Sequence, residues 1–342
     1  MKTTLCTLYN SLYLDKGLVL FDSLKECSSD FELYVLCMDE KCFDVLSEID
    51  DERVKPIKLN AIENEAMLNA KSNRTFAEYC WTCSSRLIQY VFETYNPECC
   101  TYIDADMYFY ADPQNLIDEM LACDKSVLIV PHRFVERNKS IAQKVGTFCV
   151  EFNCFKNNVN AKAILDRWHE QCIECCSSLD DGIHWGDQKY LDEWPSKYPE
   201  DVYICNNPGA GVGPWNIDSY SDYDKKVGSV FYKSTKERIK LYFCHFESIS
   251  YLSRNRVRTG VIAGLKSIDY SFVKDLYIDY LRLIDEKKKI IESHYGISLM
   301  IKYHPSSSLR ERIKRRIKGN FLTKYLLKIM GVKYFREYEL SL

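Results

Sequence analysis

The sequence predicts an α/β protein with a mostly parallel central sheet flanked by helices, followed by a helical, basic C-terminal extension. Three observations carry that expectation. Short apolar runs alternate with amphipathic segments from the N-terminus onward. Several of those runs stop at polar or acidic residues, where a parallel sheet gathers its ligands. Near the C-terminus the charge changes character: over residues 309–336, ten basic side chains face a single Glu311. A main unit over residues 1–255 and an extension over 256–342 are expected.

The chain has 342 residues, 46% of them apolar, enough to fill a large core. A formal net charge of -3 argues against a whole-chain nucleic-acid binder, and no base-reading module accompanies the basic stretch. No apolar run reaches the roughly 20 residues needed to span a bilayer, and no apolar leader follows Met1. The expected location is cytoplasmic, at most peripheral on the inner face of the membrane. The sixteen cysteines are then reduced thiols. Cys80-x-x-Cys83 and Cys172-x-x-Cys175 have zinc or redox spacing, yet both fall in helical patterns, where free cysteine packs as a small hydrophobe.

Taken in order, residues 3–8 are a strand and 14–25 a helix; 31–38 is a second strand, leading through an Asp39-started helix to a third at 54–59. Leu8, Tyr9 and Asn10 close the first strand and Asp39 follows the second, so they outline a crevice beyond the strand ends. Helix 75–95 carries Arg86 near its middle. A guanidinium there binds phosphate or pairs with a carboxylate, unless it is simply a surface residue.

The stretch Thr101-Tyr-Ile-Asp104-Ala105-Asp106-Met-Tyr-Phe-Tyr-Ala-Asp-Pro113 reads as a strand ending in a metal site. If it is extended, Asp104 and Asp106 project to one side with the small Ala105 between them. Two such hard oxygen ligands suit Mg²⁺ or Mn²⁺. Residues 116–123 follow as a helix and 127–131 as a strand. A strand at 147–155 carries Asn153, whose amide reads a sugar hydroxyl or satisfies backbone groups in a turn. Helix 161–176 leads to Trp185-Gly-Asp187-Gln188, where Asp187 is either an N-cap or a reacting carboxylate. Residues 206–216 are dense in glycine and proline and include Gly209, Trp215 and Asn216. They form a tight connection or bring backbone N–H groups to an anion. A last buried strand, 241–247, ends in His245, a core imidazole or a third metal ligand.

This ordered series resembles the GT-A (Rossmann-like) nucleotide-sugar glycosyltransferases, most closely the retaining group of glycogenin and the lipopolysaccharide galactosyltransferases. The resemblance covers about residues 3–250 and rests on Tyr-Ile-Asp104-Ala-Asp106, Phe-Asn153, Gly-Asp187-Gln188, Pro-Trp215-Asn216 and His245-Phe246, in that order. It implies that Asp104, Asp106 and His245 hold Mn²⁺ or Mg²⁺ on a donor diphosphate. Leu8, Tyr9 and Asn10 would line the nucleoside site; Arg86, Ala105, Gly209, Trp215 and Asn216 would contact the donor. Asn153, Asp187 and Gln188 would surround the sugar, the last two as catalytic residues. The Lys-Pro-Trp that follows the histidine in that family is absent; Arg254, Arg256 and Arg258 follow instead, one of them expected to grip the leaving diphosphate.

The function expected is transfer of a sugar, UDP-linked by resemblance, to a saccharide or lipid-linked saccharide in bacterial surface polysaccharide assembly. If configuration is retained, Asp187 or Gln188 steadies the cationic sugar; if it inverts, Asp187 is the base. The amphipathic basic tail suits an anionic membrane surface. The alternatives are a sugar-phosphate nucleotidyltransferase, for which the basic glycine-rich signature after the first strand is missing, and a membrane-associated scaffold that keeps the fold without catalysis.

Overall fold

The computed structural model describes residues 2–179, 182–253, 256–261, 270–299 and 337–339. In chain order it contains β1 (Thr3–Tyr9), α1 (Leu14–Cys27), β2 (Phe31–Cys37), α2 (Glu40–Ser47), β3 (Val54–Lys58), α3 (Glu65–Lys71), α4 (Phe76–Tyr95) and β4 (Cys99–Ile103). Next come β5 (Met107–Phe109), α5 (Gln114–Ala122), β6 (Val127–Pro131), α6 (Lys139–Val145), β7 (Phe148–Lys156), α7 (Val159–Glu174), α8 (Trp194–Lys197), β8 (Val202–Ile204) and β9 (Ala210–Val212). The remainder is β10 (Tyr220–Asp224), β11 (Ser229–Tyr232), β12 (Glu237–Lys240), β13 (Phe243–His245), β14 (Ser250–Ser253), β15 (Arg256–Arg258), α9 (Tyr270–Tyr295) and β16 (Glu337–Glu339).

A seven-stranded sheet in the order β3-β2-β1-β4-β7-β6-β8 forms the centre. β3, β2, β1 and β4 are parallel, as the strand–helix alternation predicts. β7 runs against both β4 and β6, while β8 is parallel to β6. Both sheet faces are covered, which is why the strands read as continuous apolar runs. Leu5, Tyr9 and Ile103 face a core shared with α1 and α9, whereas Cys6, Leu8 and Tyr102 face one shared with α4 and α7.

Polar residues start the helices where the sequence places them. Asp39 accepts from the Cys42 amide at 2.8 Å and from Ser11, tying the ends of β1 and β2 together. Thr75 and Glu78 form a reciprocal capping box at the start of α4. All sixteen cysteines are free, with Cys83 and Cys172 buried in the α4–α7 core.

The described part of the C-terminal region packs on the rest of the chain. The boundary expected at 255/256 falls between β14 and β15, which pair antiparallel, and β15 in turn pairs with β16. α9 packs into the α1 core, where Tyr280 stacks on Phe246 at 3.9 Å and Tyr277 meets the same ring edge-on at 5.0 Å. No helix among the described residues is long and apolar enough to cross a membrane. The basic stretch 309–336 and Arg254 lie outside the described residues.

Candidate active site at the strand ends

Asp104 and Asp106 do not lie in a strand, as the alternation reading expects, but in the turn between β4 and β5. The turn is fixed by its backbone: the Asp104 N–H donates to the Glu151 carbonyl at 3.2 Å, and the Phe246 N–H to the Asp106 carbonyl at 2.9 Å. Pairing of β13 with β5 sets His245 opposite Met107, beside this turn. Both carboxylates therefore address one nitrogen of the ring. His245 Nε2 is 3.0 Å from Asp106 Oδ1 and 3.7 Å from Asp104 Oδ2. Asp106 and His245 are buried, but the Asp104 side chain is 30% exposed, so the group opens to solvent on that side.

The electrostatics of the group call for a cation. Burial opposes the charge on His245, yet Asp106, Cys149 and Glu151 overcome it and hold the ring well above its ordinary value. Burial likewise opposes the charge on Asp106, but His245 brings it below the usual carboxylate range, with Lys16 assisting. Lys16 is buried and paired with Asp15 at 3.3 Å. Asp104 is pushed up to about 6 by burial, with His245 opposing and Asp106 and Glu151 adding to the rise. Asp104 and Asp106 thus gather negative charge on one side of the imidazole, and Glu151 lies on the other. Hard oxygens, one imidazole nitrogen and an open side fit Mn²⁺ or Mg²⁺. Among the described residues, the group whose donor atoms all lie within 4.8 Å of one another is Cys149, Glu151 and His245. For a hard cation such as Mn²⁺ or Mg²⁺ that set fits less well, because a cysteine sulfur is a soft ligand.

Asp187 lies close to this group through a chain of polar side chains. Ser84 Oγ on α4 donates to Asp187 Oδ2 at 2.9 Å, and the buried Trp168 indole on α7 donates to the Asp187 carbonyl at 2.9 Å. Tyr102, on the same sheet face, is within hydrogen-bonding reach of both Ser84 and Asp104. Burial pushes the Asp187 carboxyl up to about 7 against the Ser84 bond, and Asp104 adds to the rise. It is not the N-cap of a helix: the Gln188 side chain donates to the Val145 carbonyl at 2.7 Å, and a 3-10 turn over Lys189–Glu193 follows. Asn153 sits opposite Tyr102 in the β4–β7 register. It is fully buried in mid-strand, and neither atom of its amide has a partner. It satisfies no turn, and such a group is costly unless a ligand or water meets it.

The other residues expected to contact the donor have these surroundings. Leu8 and Tyr9 belong to the two cores, and Tyr9 lies against Gly17, where a Cβ would come within 2.3 Å of its ring. Asn10 caps the short turn after β1, accepting from the Leu12 amide at 3.2 Å. Arg86 is paired with Glu93 at 2.8 Å, and its Nε donates to the Ile62 carbonyl at 3.4 Å. Two residues along a helix is about 200° of rotation, so with Ser84 facing Asp187, Arg86 faces away. Arg86→Ala is accordingly expected to change donor affinity by less than about twofold in a binding titration, the range of a distant surface substitution.

Within the glycine-rich stretch, roles divide. A Cβ on Gly209 would come within 1.9 Å of the Lys240 carbonyl oxygen, so the glycine permits backbone approach rather than anion binding. Gly209→Ala is expected to cost more than about 2 kcal/mol in denaturant unfolding, since the clash is with backbone. Asn216 is fully buried; it donates to the His132 and Gly211 carbonyls and accepts from the Gly213 amide, leaving nothing for a donor. Trp215 stands edge-on to His245 at 5.4 Å with its indole N–H buried and without a partner. Ala105 is a core residue between the two aspartates. Arg258 is exposed on β15.

Sequence reasoning missed Glu151, Ser84 and Tyr102. Glu151 carried the clearest signal, as a lone acid inside the apolar run Thr147–Phe155.

No family model matches the chain. It is 30% identical over 287 residues to the uncharacterized protein YfnD of Bacillus subtilis (strain 168), covering 82% of this chain and 89% of that protein. The uncharacterized YfnF of the same organism is 28% identical over 302 residues, covering 86% and 97%. Among solved structures, the galactosyltransferase LgtC in complex with donor and acceptor sugar analogues matches with a TM-score of 0.53 at 12% identity, over 83% of this chain and 96% of that one.

Proposed function

The chain belongs to the family of Bacillus subtilis YfnD and has the GT-A glycosyltransferase fold; from this and the site geometry we propose that it is a metal-dependent glycosyltransferase. The observation that carries the reading is the convergence of Asp104 and Asp106 on His245 Nε2 at the carboxyl end of the parallel strands. Ligands of such sheets bind there. The donor is a nucleotide sugar, with UDP as the nucleotide, and the acceptor a saccharide or lipid-linked saccharide of a bacterial surface polysaccharide. The basic stretch 309–336 would hold the protein on the anionic inner face of the membrane.

Asp104, Asp106 and His245 would hold Mn²⁺ or Mg²⁺, which supplies Lewis-acid stabilisation to a departing diphosphate. Around it, this chain's residues take separate tasks. The Asn153 amide would bind a sugar hydroxyl, which supports the reading because both its atoms now lack partners. Trp215 would close one side of the group and keep water from it. Asp187 would face the reacting carbon; Ser84 orients it, and burial near Asp104 holds it near neutrality, where it can steady positive charge or take a proton. Gln188, tied to α6 through Val145, would fix the loop that carries it.

Thermal unfolding with a panel of nucleoside diphosphates, each with Mn²⁺ and with EDTA, tests the donor site. A ligand that binds only the folded protein raises its stability, by about 2.7 kcal/mol at a hundredfold excess over Kd. UDP with Mn²⁺ is expected to give the largest shift and EDTA to abolish it. Equal shifts with and without metal would refute the metal-held diphosphate.

A further inference from the structure

The other side of His245 is the less expected feature of the site. Its Nδ1 is 2.8 Å from Glu151 Oε2, and Glu151 is completely buried in the middle of β7. Glu151 Oε1 has no partner. A buried carboxylate with a single bond is costly unless that bond serves something. The fold also reserves room for it: Gly211, at φ +83, is where a Cβ would come within 2.6 Å of Oε1. Any side chain at Gly211 would therefore push this carboxylate off the ring.

We propose that Glu151 is a positioning residue that fixes the His245 ring through Nδ1 and so presents Nε2 to the divalent cation between Asp104 and Asp106. An ionised carboxylate only accepts hydrogen bonds, so when a cation takes the place of the Nε2 proton, the ring keeps its hydrogen on the nitrogen that faces Glu151. The lone pair that a metal requires is then on the opposite nitrogen, which is the one facing the two aspartates. Partners behind a ligating histidine set ring orientation and ligand basicity, and their loss typically lowers metal affinity about 10- to 100-fold. Cys149 is near the same ring and is the competing ligand that the test below separates. The inference rests on the proposed metal site; the metal site can stand without it, but it cannot stand without the metal site.

Mn²⁺ titration of the full chain, followed by the electron paramagnetic resonance of the free ion, tests it without recourse to activity. Glu151→Leu is expected to weaken Mn²⁺ binding about 10- to 100-fold. Glu151→Gln, which keeps a carbonyl oxygen toward Nδ1, is expected to recover part of that loss, which mere filling of space would not do. Co²⁺ bound to the native chain should show no thiolate-to-metal charge-transfer band in the near ultraviolet. Unchanged Mn²⁺ affinity in both variants would overturn the positioning role while leaving the metal site standing. A charge-transfer band removed by Cys149→Ser would overturn it by making Cys149, Glu151 and His245 the ligands. Absence of Mn²⁺ binding in the native chain would overturn the metal site and this inference together.

Discussion

Asp106→Ala is expected to remove high-affinity Mn²⁺ binding and to lower sugar transfer by at least about 10³-fold, the scale on which loss of a charge stabiliser at a leaving group is felt. The substitution acts at the side chain alone. The turn is held by main-chain bonds from Asp104 to Glu151 and from Phe246 to Asp106, neither of which needs the carboxylate. The fold should therefore survive, and far-ultraviolet circular dichroism should be unchanged. His245 would lose its 3.0 Å partner, and with it half of the ligand pair on the open side. Activity and Mn²⁺ affinity should fall together; loss of activity with Mn²⁺ affinity intact would detach Asp106 from the metal.

Asp187→Asn is expected to lower turnover about 10²- to 10⁴-fold while leaving nucleoside diphosphate binding within about threefold, because the residue would face the sugar and not the nucleotide. The same variant carries a stability signature with a definite sign. The folded carboxyl titrates at about 7, against an ordinary value of 3.8. Between those values the folded chain holds a proton that the unfolded chain has released, so stability falls as pH rises from about 4 to about 7 and is flat beyond. Asparagine does not titrate. Relative to the native chain, Asp187→Asn should thus gain stability across that window, by up to about 4 kcal/mol for a shift of about three pH units. Parallel stability curves for the two proteins between pH 4 and pH 8 would show that Asp187 is not buried in its neutral form.

The sheet was legible because it is buried on both faces. Val127–Pro131 and Phe31–Cys37 announce themselves as apolar runs, and Asp39 and Thr75 mark helix starts by the caps they make. The antiparallel direction of β7 was not legible, since an apolar run carries no sense of direction. At the candidate site, Asp104, Asp106 and His245 were singled out by residue type, and a turn and the β5–β13 ladder, not strand alternation, bring them together. Of the readings open for Arg86, the structure shows the pairing with a carboxylate, Glu93, seven residues along the same helix. Glu151 was passed over. Its surroundings look like core, and only the structure shows that the buried charge has an imidazole to face.

The most direct test is release of nucleoside diphosphate from a panel of nucleotide sugars by the purified full chain with Mn²⁺, read in parallel for the native protein and Asp106→Ala. The expected result is release from one nucleotide sugar, a UDP-sugar, that stops with EDTA and is absent in the variant. Release that persists in EDTA and in Asp106→Ala would contradict a metal-assisted transfer at Asp104, Asp106 and His245.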